Sequence, residues 1–183
     1  MEFAYRPDDW RDFYVALAGV SGALLGLIFV AVSLHLEVVS RHSVLRNRVR
    51  LNLVGLSLIL LIAMACLIPK QGARPLAVEM AALWLADVVF MSVSQLRLSK
   101  LMGGLSSTMV FRTSGSITIA GVGIVSAVTL WIGAGGGLLW NAGAAVITVV
   151  VVIGNTWNVS FGPELQEALR AVEPTSGEKA GAS

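Results

Sequence analysis

The run FYVALAGVSGALLGLIFVAVSLHL, Phe13 to Leu36, decides what kind of molecule this is. It holds no Asp, Glu, Lys or Arg. As a helix rising ~1.5 Å per residue, it is long enough to cross the ~30 Å hydrocarbon core of a bilayer. Its small residues are ordered as well. Ala18, Gly22 and Gly26 recur at i, i+4 and i+8, which sets them on one helix face, with Gly19 and Ala23 beside them. Such a face lets another helix backbone come close and gain dispersion contacts. It serves either internal packing or a contact between subunits.

Four more apolar runs follow, and the composition agrees with a membrane chain. The 183 residues are 56% hydrophobic and only 13% charged, and the mean hydropathy is +0.79. A soluble domain carries about 25% charged residues. The expected fold is therefore all-α, a bundle of five transmembrane helices over about 13–38, 51–68, 76–96, 115–132 and 138–157. The transmembrane domain is 13–160, preceded by an external segment 1–12 and followed by a cytoplasmic tail, 161–183. Pro, Ser, Gly and Lys enrichment from Glu173 onward predicts disorder in most of that tail.

The ends of the spans carry the usual punctuation. Asp8 or Asp9 suits a helix cap, and Asp12 suits the positive end of the helix dipole. Phe3, Tyr5, Trp10, Phe13 and Tyr14 form an aromatic entry, and Trp131 and Trp140 flank the glycine turn 133–137. Aromatic rings of this kind prefer headgroup level. The first segment lacks a basic stretch and the first run exceeds a signal-peptide core, so it is expected to remain as a helix.

Orientation follows from charge. With five spans the two termini lie on opposite sides. Arg6, Arg11, Lys70 and Arg74 fall on one side. The other has nine basic residues: Arg41, Arg46, Arg48, Arg50, Arg97, Lys100, Arg112, Arg170 and Lys179. The richer side is cytoplasmic by the positive-inside rule, which puts the N-terminus outside. Ser40 to Arg50 reads as a basic loop, whose Arg41, Arg46, Arg48 and Arg50 would meet anionic lipid headgroups. No basic patch interleaves with aromatics, so nucleic acid is not an expected partner.

The opening also resembles a group of small, uncharacterised bacterial multi-spanning membrane proteins. The residues that carry the likeness are Trp10, Phe13, Gly19, Ala23, Gly26 to Ala31, Ser33 and Leu34. That group often has Asn-Ala-Trp near the end of its last helix; here it is Asn155-Thr156-Trp157, which departs at the middle position. The resemblance covers about a fifth of the chain. It implies a bacterial inner-membrane location and no activity.

One residue points to chemistry. Asp87 lies near the middle of the third span, and no Lys, Arg or His falls at matching depth in the other spans. A charged side chain at bilayer centre costs about 2.5–3.5 kcal/mol on insertion scales. The carboxyl is therefore either neutral or in contact with water. Ser57, Ser126 and Thr148 are placed near the same depth, and their hydroxyls can hydrogen-bond it. Trp84, Met91 and Ser94 share its helix face. Two readings stand: a neutral acid that ties helices together, or a group that handles protons or small cations.

Other candidates read as structural. Cys66 is the single cysteine, so no intrachain disulfide forms, and it reads as an inert buried thiol. Glu79 reaches the interface. His35 and His42 read as interfacial, with no further ligands at their depth to make a metal or haem site. Asn155, Thr156, Asn158 and Ser160 satisfy helix-end carbonyls. The acceptor Asn158-Val159-Ser160 falls on the cytoplasmic side. No nucleophile, zinc or phosphate-loop motif is present, so no enzyme, cofactor or metal is expected. The functions left are a small oligomeric channel or transporter for protons or small cations that uses Asp87, or an accessory protein that binds another membrane protein through its first helix.

Overall fold

The computed structural model describes residues 7–41, 43–101 and 107–161. Within them the chain is all-α. The helices are α1 (Pro7–Leu34), α2 (Leu36–Arg41), α3 (Ser43–Cys66), α4 (Ala73–Leu101), α5 (Ser107–Ile132) and α6 (Gly137–Phe161). All but α2 are long and apolar enough to cross a membrane, the architecture of a multi-pass membrane protein.

The helices outlast the apolar runs. The stretch Ser40–Arg50, read from sequence as a loop, is helical except at the undescribed position 42. Arginine is a good helix former, and nothing between Ser43 and Arg50 breaks a helix. Hydropathy marks where the hydrocarbon ends and says nothing of where the backbone hydrogen bonds end. The first run, in contrast, breaks early, at His35. Ser33 Oγ donates to Phe29 O at 2.8 Å and His35 Nδ1 lies 3.1 Å from Ala31 O, so side chains compete for the last carbonyls of α1. Residues 1–6, His42, Gly103-Gly104 and the tail from 162 lie outside the described residues.

The other connections follow local chemistry. After α3, Lys70 takes φ 57°. Pro75 then sits in the first turn of α4, where a missing N–H costs nothing. The α5–α6 turn has Gly133, Gly135 and Gly136 at φ 68°, 83° and 76°, a region side chains disfavour. Ser126 Oγ donates to Gly137 O at 2.7 Å and ties the hairpin together.

α3 is the central helix, with 56% of its apolar window buried against 17% for α1. It contacts α1, α4 and α6, while α5 contacts α4 and α6. Helices α3, α4, α5 and α6 thus close a ring, and α1 lies on its outside against α3. Tyr14, Leu17, Ser21 and Ile28 form the buried face of α1. Large apolar side chains such as Leu27, Phe29, Leu85, Ile132 and Val150 cover the outside, as a hydrocarbon solvent favours.

The small-residue face of α1 is not the close-packing surface inside this chain. Gly22 and Gly26 are exposed, and a Cβ on either would meet nothing within 4 Å. Ala18 is half-buried. Close packing occurs on α5 instead. A Cβ on Gly123 would fall inside the Trp84 indole, so the ring lies directly on the α5 backbone. The reason is rotational: the large residues of α1 that touch α3 lie on the side away from its glycines.

Candidate functional site: a cavity around Asp87

The ring of α3 to α6 encloses a cavity of about 250 Å3. α4 supplies Trp84, Asp87, Met91 and Gln95 to its wall. Their spacing of three, four and four residues keeps them on one side of the helix. α3 adds Leu51, Asn52 and Gly55, and α5 adds Gly115, Ser116 and Ile119. α6 completes it with Thr148, Val151, Val152 and Asn155. The cavity is roomy enough for several waters, and its lining is mostly apolar, with polar groups from Asn52, Asp87, Gln95, Ser116, Thr148 and Asn155.

The cavity is graded along its length. Asn52, Gln95, Ser116 and Asn155 lie toward the end of the bundle that carries Arg46, Arg48, Arg50 and Arg97, here the basic end. Asp87 lies deeper, at mid-helix, and Trp84 closes the wall one turn farther on. Asp87 is only 9% exposed, and its Oδ1 is buried with no hydrogen-bond partner among the described residues. A buried acceptor left so is costly and calls for a structural reason. Gln95 Oε1, farther along the same wall, is in the same condition.

Beyond Trp84 the bundle is sealed by a buried chain of hydrogen bonds. Trp84 Nε1 donates to Asn141 Oδ1 at 3.2 Å. Asn141 Nδ2 donates to the Tyr14 hydroxyl at 3.1 Å, which in turn donates to Leu138 O at 3.1 Å. The chain links α1, α4 and α6, and each of its side chains is almost wholly buried. It gives three large polar groups partners where water is scarce.

The hydroxyls expected near Asp87 divide. Thr148 lines the cavity, and its proton is donated to Ala144 O at 2.8 Å, which leaves its oxygen able to accept. Ser126 does not line it; its hydroxyl is bound in the α5–α6 hairpin. Ser57, half-buried, does not line it either. Trp84 and Met91 share the wall with Asp87, whereas Ser94 lies at the α3 edge and accepts from Arg50 Nη2 at 3.1 Å. The Arg50 guanidinium also stands 5.1 Å from the Phe90 ring centre, so it is held against α4. Arg46 Nη1 donates to Ser40 O at 3.2 Å. Arg41 and Arg48 lie at the same basic end. Glu79 is exposed and accepts from Gln71 Nε2 at 2.7 Å.

No family model, curated protein or solved structure compared with this chain matches it.

Sequence reading missed Asn52, Gln95 and Ser116 as companions of Asp87, gave Asn155 only a helix-end role, and left out Asn141. A signal for the first four existed. Each is a polar residue six or nine residues inside the basic end of its helix, on four different helices. Nothing in the sequence says that those four faces turn toward one another. Among the described residues no three His, Cys, Asp or Glu side chains gather as a metal site.

Proposed function

We propose that this is a non-catalytic bacterial inner-membrane protein that handles protons or small cations, with Asp87 as the charge-accepting group. The single observation that supports it is the position of Asp87 on the wall of a largely apolar cavity, with a buried Oδ1 that no other side chain among the described residues uses. An acid acting only as glue between helices would be spent on a neighbouring helix; this one is not. Thr148 assists it as an acceptor on the opposite wall. The cavity leads from Asp87 toward the basic end, and the nine-to-four distribution of basic residues makes that end cytoplasmic and the N-terminus external. The arginines of that end hold anionic headgroups. Cysteines placed near residue 72 or 135, in a Cys66→Ala background, should then react with membrane-impermeant reagents. Cysteines near 104 should not, and the reverse pattern would invert the orientation.

The deciding experiment is ion flux in proteoliposomes. Asp87→Asn preserves shape and polarity but cannot carry a charge on and off. It should fold and lose at least about tenfold in proton- or cation-dependent flux, the scale of one lost charge-assisted contact. Wild-type flux that survives Asp87→Asn would remove the assignment.

A second reading has its own observation. The Gly22–Gly26 face of α1 is open: apart from the adjoining backbone of α1 itself, no atom of the described residues lies within 4 Å of where a Cβ would stand. That favours an accessory or regulatory role in which α1 docks on another membrane protein or on a second copy of this chain.

A further inference from the structure

The cavity holds two buried acceptors without partners among the described residues, Asp87 Oδ1 and Gln95 Oε1, on one wall of α4. They are eight residues apart, a rise of about 12 Å along the helix. Between them the wall is apolar, formed by Met91 with Ile119 and Val152 from the facing helices. The cavity, about 250 Å3 in volume, runs past both acceptors.

These features select a ligand. A divalent metal ion wants several hard oxygen ligands in one shell, but Asp87 is the only acidic residue on the wall, and no His or Cys joins it. A small ion at Asp87 would also leave the Gln95 acceptor and the apolar stretch unused. We infer that the cavity binds an unbranched organic monocation, with an ammonium group on Asp87, a methylene chain against Met91, and a terminal hydrogen-bond donor on Gln95. This rests on the cation-handling reading of Asp87 and names its substrate class. Each end of such a molecule supplies donors to an acceptor that lacks one. The indole of Trp84, fixed by Gly123 on one side and Asn141 at its N–H, limits how deep the ammonium can go.

The test is calorimetric titration of the purified full chain in nanodiscs with 6-amino-1-hexanol and, as the neutral match, hexane-1,6-diol. The wild type should bind the amino alcohol at least about tenfold more tightly than the diol, as a charge-assisted contact requires. Asp87→Asn should bring that ratio close to one, and Asp87→Glu, which keeps the carboxylate, should retain it. Gln95→Leu should weaken both probes by about two- to tenfold, the range of one hydrogen bond, and leave the ratio intact. Equal binding of the two probes by the wild type would overturn the inference. So would a ratio unchanged in Asp87→Asn. Asp87-dependent proton or sodium flux without amino alcohol binding would overturn the ligand class and leave the proposed function standing. No binding together with no Asp87-dependent flux would remove both.

Discussion

Gly123 of α5 and Gly22 of α1 are both glycines inside apolar helices, and their surroundings are opposite. Gly123 is buried, and the Trp84 ring occupies the place a Cβ would need. Gly22 is exposed, with nothing within 4 Å of that place. The small-residue spacing is the better pattern on α1, yet the close approach occurs on α5. A glycine therefore marks where a backbone can be approached, and only the neighbouring helix decides whether it is. In this chain the approach was made by an indole, and it fixes the closed end of the Asp87 cavity.

Substitutions at the two glycines should differ accordingly. The largest effect is expected for Gly123→Leu, which forces the Trp84 indole out of a filled site. Overpacking costs about 1–3 kcal/mol, and displacement of the ring adds the loss of its hydrogen bond to Asn141. The thermal midpoint of the purified protein should fall, and a second change, Trp84→Leu, should recover part of it. A Gly123→Leu variant as stable as wild type would mean that the indole does not seat there.

An intermediate loss is expected at Asn141, which sits between the two regions and joins Trp84 to Tyr14 of α1. Asn141→Ala strips the indole N–H of its acceptor and should cost about 1–3 kcal/mol. The loss should shrink when Trp84→Phe is combined with it, because no donor is then stranded. Additive losses in that cycle would show that the two side chains are not coupled.

The smallest effect on folding is expected for Gly22→Ile. The site is open and isoleucine is a better helix former than glycine, so stability should stay within about 0.5 kcal/mol of wild type. Light scattering after size exclusion then sharpens the comparison. A smaller species would identify the α1 face as a subunit contact, and an unchanged one would leave that face to lipid. Loss of folding would break the contrast with Gly123 altogether.

The sequence by itself determined the class of molecule, the number of spans, the glycine turn at 133–137 and the isolation of Asp87. These depend on length, local propensity and composition, which are properties of consecutive residues. Only the tertiary structure decided which way each helix is turned about its own axis. That rotation brought Asn52, Gln95, Ser116 and Asn155 onto the same cavity as Asp87. It sent Ser126 to the α5–α6 hairpin and turned Gly22 and Gly26 away from the bundle. The physical reason is that hydropathy fixes a residue's depth along the membrane normal. The angle around the helix is set by side-chain packing between segments distant in sequence, and in a solvent as apolar as the side chains no amphipathic pattern announces it.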